Sequence, residues 1–312
     1  MAEPSHRVPG GASSPGGRAL LVLATGPLTT VQDLGRIGHA HLGVGRSGAA
    51  DRGALRLANR LLGNPEGAAG LEITLGGLEV RAHGDLVIAL TGARCPAVLT
   101  DASGRRRPVG HQAVERLPDG ATLRLGTPAR GLRTYFAVRG GLDVPAVLGS
   151  RSTDTLSGLG PPPPKPGTLL PVGPPPDRFP TVDLAPVPEP ADGDLVLHAI
   201  PGPRDDWFSP AALQALCAEP YEVTPESDRV GMRLRGPYLE RVRRDELPSE
   251  GMVPGALQVP PSGQPTLLLA DHPVTGGYPV IAVVLGRDVD RAAQARPGQR
   301  IRFRLVRPGR LR

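Results

Sequence analysis

The chain has 312 residues, with 42 Gly, 38 Pro, 3% aromatic residues and a formal net charge of +6. That length buries one large core or two smaller ones, and arginines spread without a basic, aromatic-interleaved cluster argue against nucleic-acid binding. Lys165 is the only lysine and Pro166 follows it, which removes a phosphate-binding Gly-Lys-Ser/Thr loop, a Schiff-base lysine in an apolar pocket and a biotin carrier.

The segment Met1–Arg18 is rich in Gly, Ser and Pro and has no apolar h-region, so it reads as a disordered tail and not as a secretory signal. The first strand is expected over Ala19–Ala24. A glycine-bearing loop, Gly45–Asp51, then runs into a helix. Asp51 caps that helix, because its carboxylate accepts from the free amides of the first turn. Ala54, Leu57, Ala58 and Leu61 supply the apolar stripe, and Gly63 ends it. Leu71–Leu75 and Leu78–Arg81 flank Gly76-Gly77 as a two-residue hairpin. Asp85–Leu90, Ala97–Thr100, Ala121–Leu125 and Leu132–Val138 continue as strands. In Leu148–Thr153, Arg151 is an anion-binding candidate, since a guanidinium bonds a carboxylate or phosphate bidentately; an ordinary ion pair is the equal alternative.

Thirteen prolines fall between Pro161 and Pro190. Residues 157–193 therefore read as a semi-rigid, extended connector between units at 19–156 and 194–312. The second unit opens with a strand over Asp194–Ile200 and a short helix capped by Ser209 with Pro210 in first position. Asp228 and Arg229 are adjacent, either as a surface salt bridge or as a loop pair facing a cleft. Val253–Val259, Thr266–Ala270 and Pro279–Leu285 are strand-like runs. The polar turns between them, Pro260–Gln264 and Asp271–Tyr278, are either loops held rigidly for a ligand or the turns of an ordinary meander whose glycines serve only the chain reversals. A helix over Val289–Ala295 and a strand over Arg300–Val306 close the chain. Thr122–Val138 and Thr266–Val283 echo one another, as two duplicated β-units would.

Cys95 and Cys217 have no partner motif, so neither a disulfide framework nor a zinc site is expected, which suits the cytoplasm. His39 and His41 lack a third ligand with sensible spacing, so no metal is assigned. No apolar run approaches the roughly 20 residues of a membrane span. No G-x-S-x-G elbow occurs, which argues against a self-contained hydrolase.

Several motifs fall in one register: Thr30-Val31-Gln32-Asp33-Leu34-Gly35-Arg36, Leu148–Thr153, Ser227–Leu234, Ser249-Glu250-Gly251, Pro254–Pro260, Gly263-Gln264-Pro265 and Thr275-Gly276-Gly277-Tyr278-Pro279. In these the chain resembles the KipA-like family, also called allophanate hydrolase subunit 2-like or the C subunit of 5-oxoprolinase, with relatives in the carboxyltransferase region of urea carboxylase. The proline run departs from the family pattern, so no site residue is carried there.

The resemblance implies a mostly β chain of two cyclophilin-like barrels with a few short helices. It implies a subunit of ATP-dependent 5-oxoprolinase working with KipI-like and LamB/YcsF-like subunits, with ATP bound with or by a partner. A biotin-dependent carboxyltransferase and a non-catalytic partner of a KipI-like kinase inhibitor are the alternatives. Ser47, Asp51, Arg151, Gln258, Gln264, Thr275, Gly276, Gly277 and Tyr278 are then the expected contacts to an amide or lactam. Arg151, Arg229 and the Thr275–Gly277 amides would meet developing charge, and Asp228 or Glu250 would serve as acid or base.

Overall fold

The computed structural model describes residues 17–243 and 245–306. The first unit contributes β1 (Ala19–Thr25), β2 (Leu28–Gln32), α1 (Arg52–Leu61), β3 (Gly70–Thr74), β4 (Leu78–His83), β5 (Leu86–Gly92), β6 (Ala97–Thr100), β7 (Arg106–Pro108), β8 (Val114–Leu117), β9 (Thr122–Leu125), β10 (Arg133–Val138) and β11 (Leu169–Pro171). The second contributes β12 (Leu195–Pro201), α2 (Pro210–Ala218), β13 (Tyr221–Val223), β14 (Gly231–Arg235), β15 (Glu250–Gly251), β16 (Ala256–Gln258), β17 (Thr266–Leu268), β18 (Thr275–Gly276), β19 (Val280–Val284), α3 (Gly286–Ala292) and β20 (Arg300–Leu305).

The mostly β class with a few short helices is as expected, but only the second unit closes on itself. Its strands run β12-β19-β16-β17-β14-β13-β20 around a barrel filled by Leu197, Tyr221, Leu257, Ile281 and Phe303. The first unit is two sheets, β11-β1-β4-β9-β6-β7 and β2-β3-β10-β5-β8. They face one another across a core that includes Leu20, Leu71, Val80, Ile88 and Phe136. The alternation of β4, with Leu78, Val80 and Ala82 inward, is the pattern of a strand with one wet face. By contrast, every residue of β10 is buried, because α1 covers its other side.

Gly76-Gly77 is not a hairpin turn. β3 pairs with β2 and β10, whereas β4 pairs with β1 and β9, so the two glycines carry the chain from one sheet to the other. Backbone from three turns meets there: a β-carbon on Gly76 would lie 2.0 Å from the Gly126 carbonyl oxygen, and one on Gly26 equally close to that of Gly76. Only glycine permits such an approach, and both positions also have positive φ.

The proline-rich stretch is likewise no free connector. Leu169–Leu170–Pro171 pair with β1 as an edge strand, Leu142 bridges Val172, and Ala113 bridges Leu184. Prolines exclude a central strand but not an edge, where amides need no partner. The expected tail, Met1–Arg18, lies mostly outside the described residues; Arg18 itself is anchored, its Nη2 donating to Gly173 O at 2.5 Å. Leu170 is buried in the first core, so Leu170→Ala should cost about 2–5 kcal/mol. A chemical-denaturation midpoint unchanged from wild type would show instead that the stretch is unpacked.

Candidate functional site

The two units meet on a buried ionic junction. Glu72 is the one charged residue of β3 and is buried within an apolar strand. Its Oε1 accepts from Arg229 Nη1 and lies 3.4 Å from Arg133 Nε. Its Oε2 accepts from Tyr135 Oη at 2.7 Å and from Ala50 N at 2.9 Å. Arg229 comes from the second unit, just before β14. Its Nε and Nη2 donate to Asp271 at 2.9 and 3.1 Å, and Nη2 also donates to Gly48 O at 2.6 Å. Asp271 then accepts from Ser47 Oγ at 2.6 Å and from Thr155 N and Oγ1 at 2.9 and 2.7 Å.

Burial alone would push both carboxyls up, but the Arg229 guanidinium, joined at Glu72 by Arg133, holds each below its ordinary range. Burial likewise disfavours the Arg229 cation, and the two carboxylates overcome that and raise its pKa. The Tyr135 phenol is pushed up by burial and by the charges of Glu72 and Asp51, so it stays protonated.

The junction fixes the loop before α1. Ser47 adopts φ 54 and Gly48 φ 96, and this turned backbone brings Ser47 Oγ to Asp271 and Gly48 O to Arg229. Asp51 caps α1 as expected, its Oδ1 accepting from Ala54 N at 2.9 Å. Its Oδ2 accepts from Gln294 Nε2 at 2.7 Å, and its own amide donates to Tyr135 Oη at 2.7 Å. Burial raises the Asp51 carboxyl to about 6, against the pull of the Gln294 and Ala54 bonds.

Arg229 was expected as a donor to developing charge. Its Nε, Nη1 and Nη2 all donate to protein acceptors, so its role here is positioning. Nor does it pair with its neighbour Asp228, whose Oδ1 accepts from Val230 N and Gly231 N at 2.8 and 2.9 Å. Both residues do line a cavity of about 660 Å³ between the units, together with Arg133 and Thr155.

Arg151 sits elsewhere. Its Nη2 donates to Asp143 at 2.8 Å and its Nε to Val144 O at 2.7 Å, the ordinary ion-pair alternative. The organiser of that loop is Asp33, whose carboxylate accepts from Ser150 Oγ, Ser152 Oγ, Gly35 N and Arg151 N. Gln264 is also structural, making both of its bonds to the backbone of Gly236 at 2.8 and 3.1 Å.

The remaining predicted residues form a second group at the end of the barrel. Glu250 pairs with Gly276 across the β15–β18 ladder, and Gly251 with Thr275. Buried Gln258 points its Nε2 toward Met252 Sδ at 3.3 Å and Tyr278 O at 3.4 Å. Thr275, Gly277 and Tyr278 are exposed, Tyr278 to 49%. The Glu250 carboxylate accepts from Arg204 Nε at 2.9 Å. Gly277 does not have positive φ; the tight position is Gly276, where a β-carbon would fall 2.5 Å from Gln258 Nε2. The two groups are joined through the chain Asp271–Thr275. Within it, His272 Nδ1 lies 2.8 Å from Pro273 O, and a β-carbon on Gly45 would lie 3.5 Å from His272 O. Burial lowers the His272 pKa.

Sequence reasoning missed Glu72, Arg133, Tyr135, Asp271 and Gln294 as members of the junction. One signal was present: Glu72 is a lone carboxylate inside a continuous apolar strand, which requires a buried partner. No group of three His, Cys, Asp or Glu side chains suited to a metal occurs among the described residues, and no described helix is long and apolar enough to cross a membrane.

A barrel and a double sheet locked by a buried ion network define a two-subdomain β architecture, and it has known relatives. The carboxyltransferase domain, subdomain A and B, matches residues 42–305. The chain is 40% identical to the C subunit of 5-oxoprolinase from Escherichia coli, over 91% of its own length and 90% of that protein. It is 34% identical to the Haemophilus influenzae protein of the same name over 89% and 88%. It is 31% identical to urea amidolyase of Lachancea kluyveri, where the match covers 91% of this chain but 17% of that one. Among solved structures, TTHA0988 superposes with a TM-score of 0.83 at 37% identity, over 97% of this chain and 59% of that chain. Urea amidolyase of Kluyveromyces lactis superposes with a TM-score of 0.86 at 30% identity, over 93% and 19%. The chain belongs to the carboxyltransferase subdomain A and B family.

Removing one partner of a buried ion pair leaves the other charge stranded, so Arg229→Ala should destabilise the protein by about 3–5 kcal/mol. Equilibrium unfolding checks this, and a loss as small as that of a surface arginine would contradict it. The pH dependence has two parts of opposite sign. Glu72 and Asp271 have lowered pKa values, so their stability is present above the unfolded carboxylate range and is lost as pH falls. Asp51 has a raised pKa, so its contribution is present below 3.8 and is lost as pH rises through about 6. Asp51→Asn keeps a capping side chain and should abolish that second loss, which a series of unfolding curves across this range measures directly.

Proposed function

We propose that this chain is the C subunit of an ATP-dependent 5-oxoprolinase, acting with KipI-like and LamB/YcsF-like subunits to open 5-oxoproline to L-glutamate. The observation that carries the reading is the end-to-end likeness to proteins named as the C subunit of 5-oxoprolinase, over 91% of this chain and 90% of the Escherichia coli relative. Urea amidolyase supports a second reading, a biotin-dependent carboxyltransferase component, since its matched segment is 17% of a larger protein. Both reactions act on a molecule with a resonance-stabilised amide or urea group, the first at its carbonyl carbon and the second at a nitrogen.

Ring opening needs that amide activated. Transfer of the ATP γ-phosphoryl group to the lactam oxygen makes the carbon electrophilic. Water then adds to that carbon, the ring C–N bond breaks as the nitrogen takes a proton, and the resulting acyl phosphate is hydrolysed by a second water to L-glutamate and inorganic phosphate. With a single lysine in a proline run, this chain is assigned the amide and not the nucleotide, which a partner subunit would hold. Within the chain, the Thr275–Tyr278 turn exposes a hydroxyl at Thr275, the backbone of Gly277 and the Tyr278 phenol. Gln258 packs directly beneath Gly276. Such neutral, pre-oriented donors suit a carbonyl whose charge grows in the transition state. Glu250 on the neighbouring strand is the acid–base candidate of the same group. Arg229, Glu72 and Asp271 hold the turn and the Ser47–Asp51 loop in register from below.

Reconstitution with the two partner subunits tests the proposal. The complex should release ADP only in the presence of 5-oxoproline, and the single chain should not. Full turnover by the chain alone would refute the division of labour, and carboxylation of urea with a biotinylated carrier would favour the second reading. In the complex, Tyr278→Phe and Gln258→Ala should each lower kcat/KM about tenfold or more, roughly 1.4 kcal/mol of transition-state stabilisation, with the melting temperature unchanged. If they serve only the fold, stability falls and activity per folded molecule does not.

A further inference from the structure

A separate cavity of about 610 Å³ lies among α1, α3 and the segment Val187–Ala191. Its charged lining residues are Asp51, Arg60, Glu189, Asp290 and Arg291. Three of these are already paired: Arg60 with Glu66 at 2.9 Å, Glu189 with Arg94 at 3.2 Å, and Arg291 with Asp288 at 2.8 Å. Asp51 and Asp290 are different. Among the described residues neither makes an ion pair, and each bonds only neutral donors: Ala54 N and Gln294 Nε2 for Asp51, Arg52 N and Gly53 N for Asp290. A β-carbon on Gly53 would touch Asp290 Oδ2 at 3.4 Å and Asp51 Oδ1 at 3.5 Å, so the two carboxylates flank one point.

A third residue points the same way. Gln112 lines this cavity, is 7% exposed and holds φ 57, a left-handed conformation rare for a side chain of its size. Its Oε1 accepts from Val187 N at 3.0 Å, while no described protein group accepts from its Nε2. Both carboxylates are half-buried; the charges of Arg52 and Arg56 act on Asp290, whereas Asp51 feels the like charges of Asp290 and Glu72, a costly arrangement for an anion partly out of water. Leu57, Val187, Pro188 and Pro190 give the remaining wall an apolar character.

We propose that this cavity binds a small organic cation carrying a carbonyl, an ω-amino amide or a close analogue. The ammonium head sits at Asp51 and Asp290, the methylene body lies against Leu57 and Pro188, and the ligand carbonyl accepts from Gln112 Nε2. The inference goes beyond the reading of the chain as an oxoprolinase component and does not depend on it. The Asp51 carboxyl is raised to about 6 by burial, with the charges of Asp290 and Glu72 adding to the rise. Burial also raises Asp290, against its bonds to Arg52 N and Gly53 N and the charges of Arg52 and Arg56. Binding of a cation therefore strengthens as pH rises through about 6.

Titration calorimetry of the purified chain with 4-aminobutyramide tests the site, with butyramide and butyrate as neutral and anionic counterparts. The amino amide should bind saturably above pH 6 and more weakly below it, and neither counterpart should compete. Asp51→Asn and Asp290→Asn should each weaken binding about tenfold or more, the loss of one charged contact, with circular dichroism unchanged. Gln112→Leu, which leaves both carboxylates in place, should weaken the amino amide but not n-butylammonium. Equal binding by butyramide, displacement by potassium or magnesium chloride, or no saturable heat would each overturn the proposal.

Discussion

Arg229 is the residue through which the two halves of this molecule are made one. Its guanidinium reaches from the barrel into the first unit, where Glu72 waits inside an otherwise apolar strand, and it also holds Asp271 and the Gly48 carbonyl. A buried ion network of this kind contributes little net stability, because desolvation opposes the attraction. What it supplies is register: any other arrangement of the two units would leave charges buried without partners. Gln294 extends the same logic with neutral groups, bonding Asp51 on one side and the Leu132 and Arg133 amides on the other.

From that junction the rest of the site inherits its geometry. Ser47 and Thr155 each reach Asp271 from the first unit, so loops on both sides of the boundary are referenced to one carboxylate. Asp271 begins the turn that ends at Tyr278. The exposed donors of that turn are therefore placed from a base in which Ser47, Arg229 and Asp271 are buried. A rigid base beneath a short glycine-bearing turn is the arrangement expected where a reaction depends on pre-oriented donors.

The division between positioning and contact also explains why the predicted site residues separate. Arg229, Ser47 and Asp51 have their polar groups satisfied internally. Arg151 and Gln264 stabilise surface turns. Thr275, Gly277 and Tyr278 remain open to a ligand, with Gln258 and Glu250 beside them. Asp51 is capped and satisfied by neutral donors but lacks a counter-charge, which sets it apart from Glu72 and Asp271, the carboxylates of the junction.

The sequence by itself determined the class of the fold, the helix cap at Asp51 and most strand positions. These are local matters, decided by side-chain periodicity, turn residues and capping chemistry within a few positions. The Gly76-Gly77 turn was legible as a turn, yet whether it joins neighbours in one sheet or carries the chain between sheets depends on backbone from Gly26 and Gly126, distant in sequence. The proline run was legible as irregular, but its edge pairing to β1 needs the partner strand in place. Asp228 and Arg229 look like a pair when adjacent in sequence. Only the tertiary structure turns Arg229 toward Glu72 and Asp271, because a buried guanidinium is held by whichever carboxylates the fold brings within reach, and those lie 157 and 42 positions away.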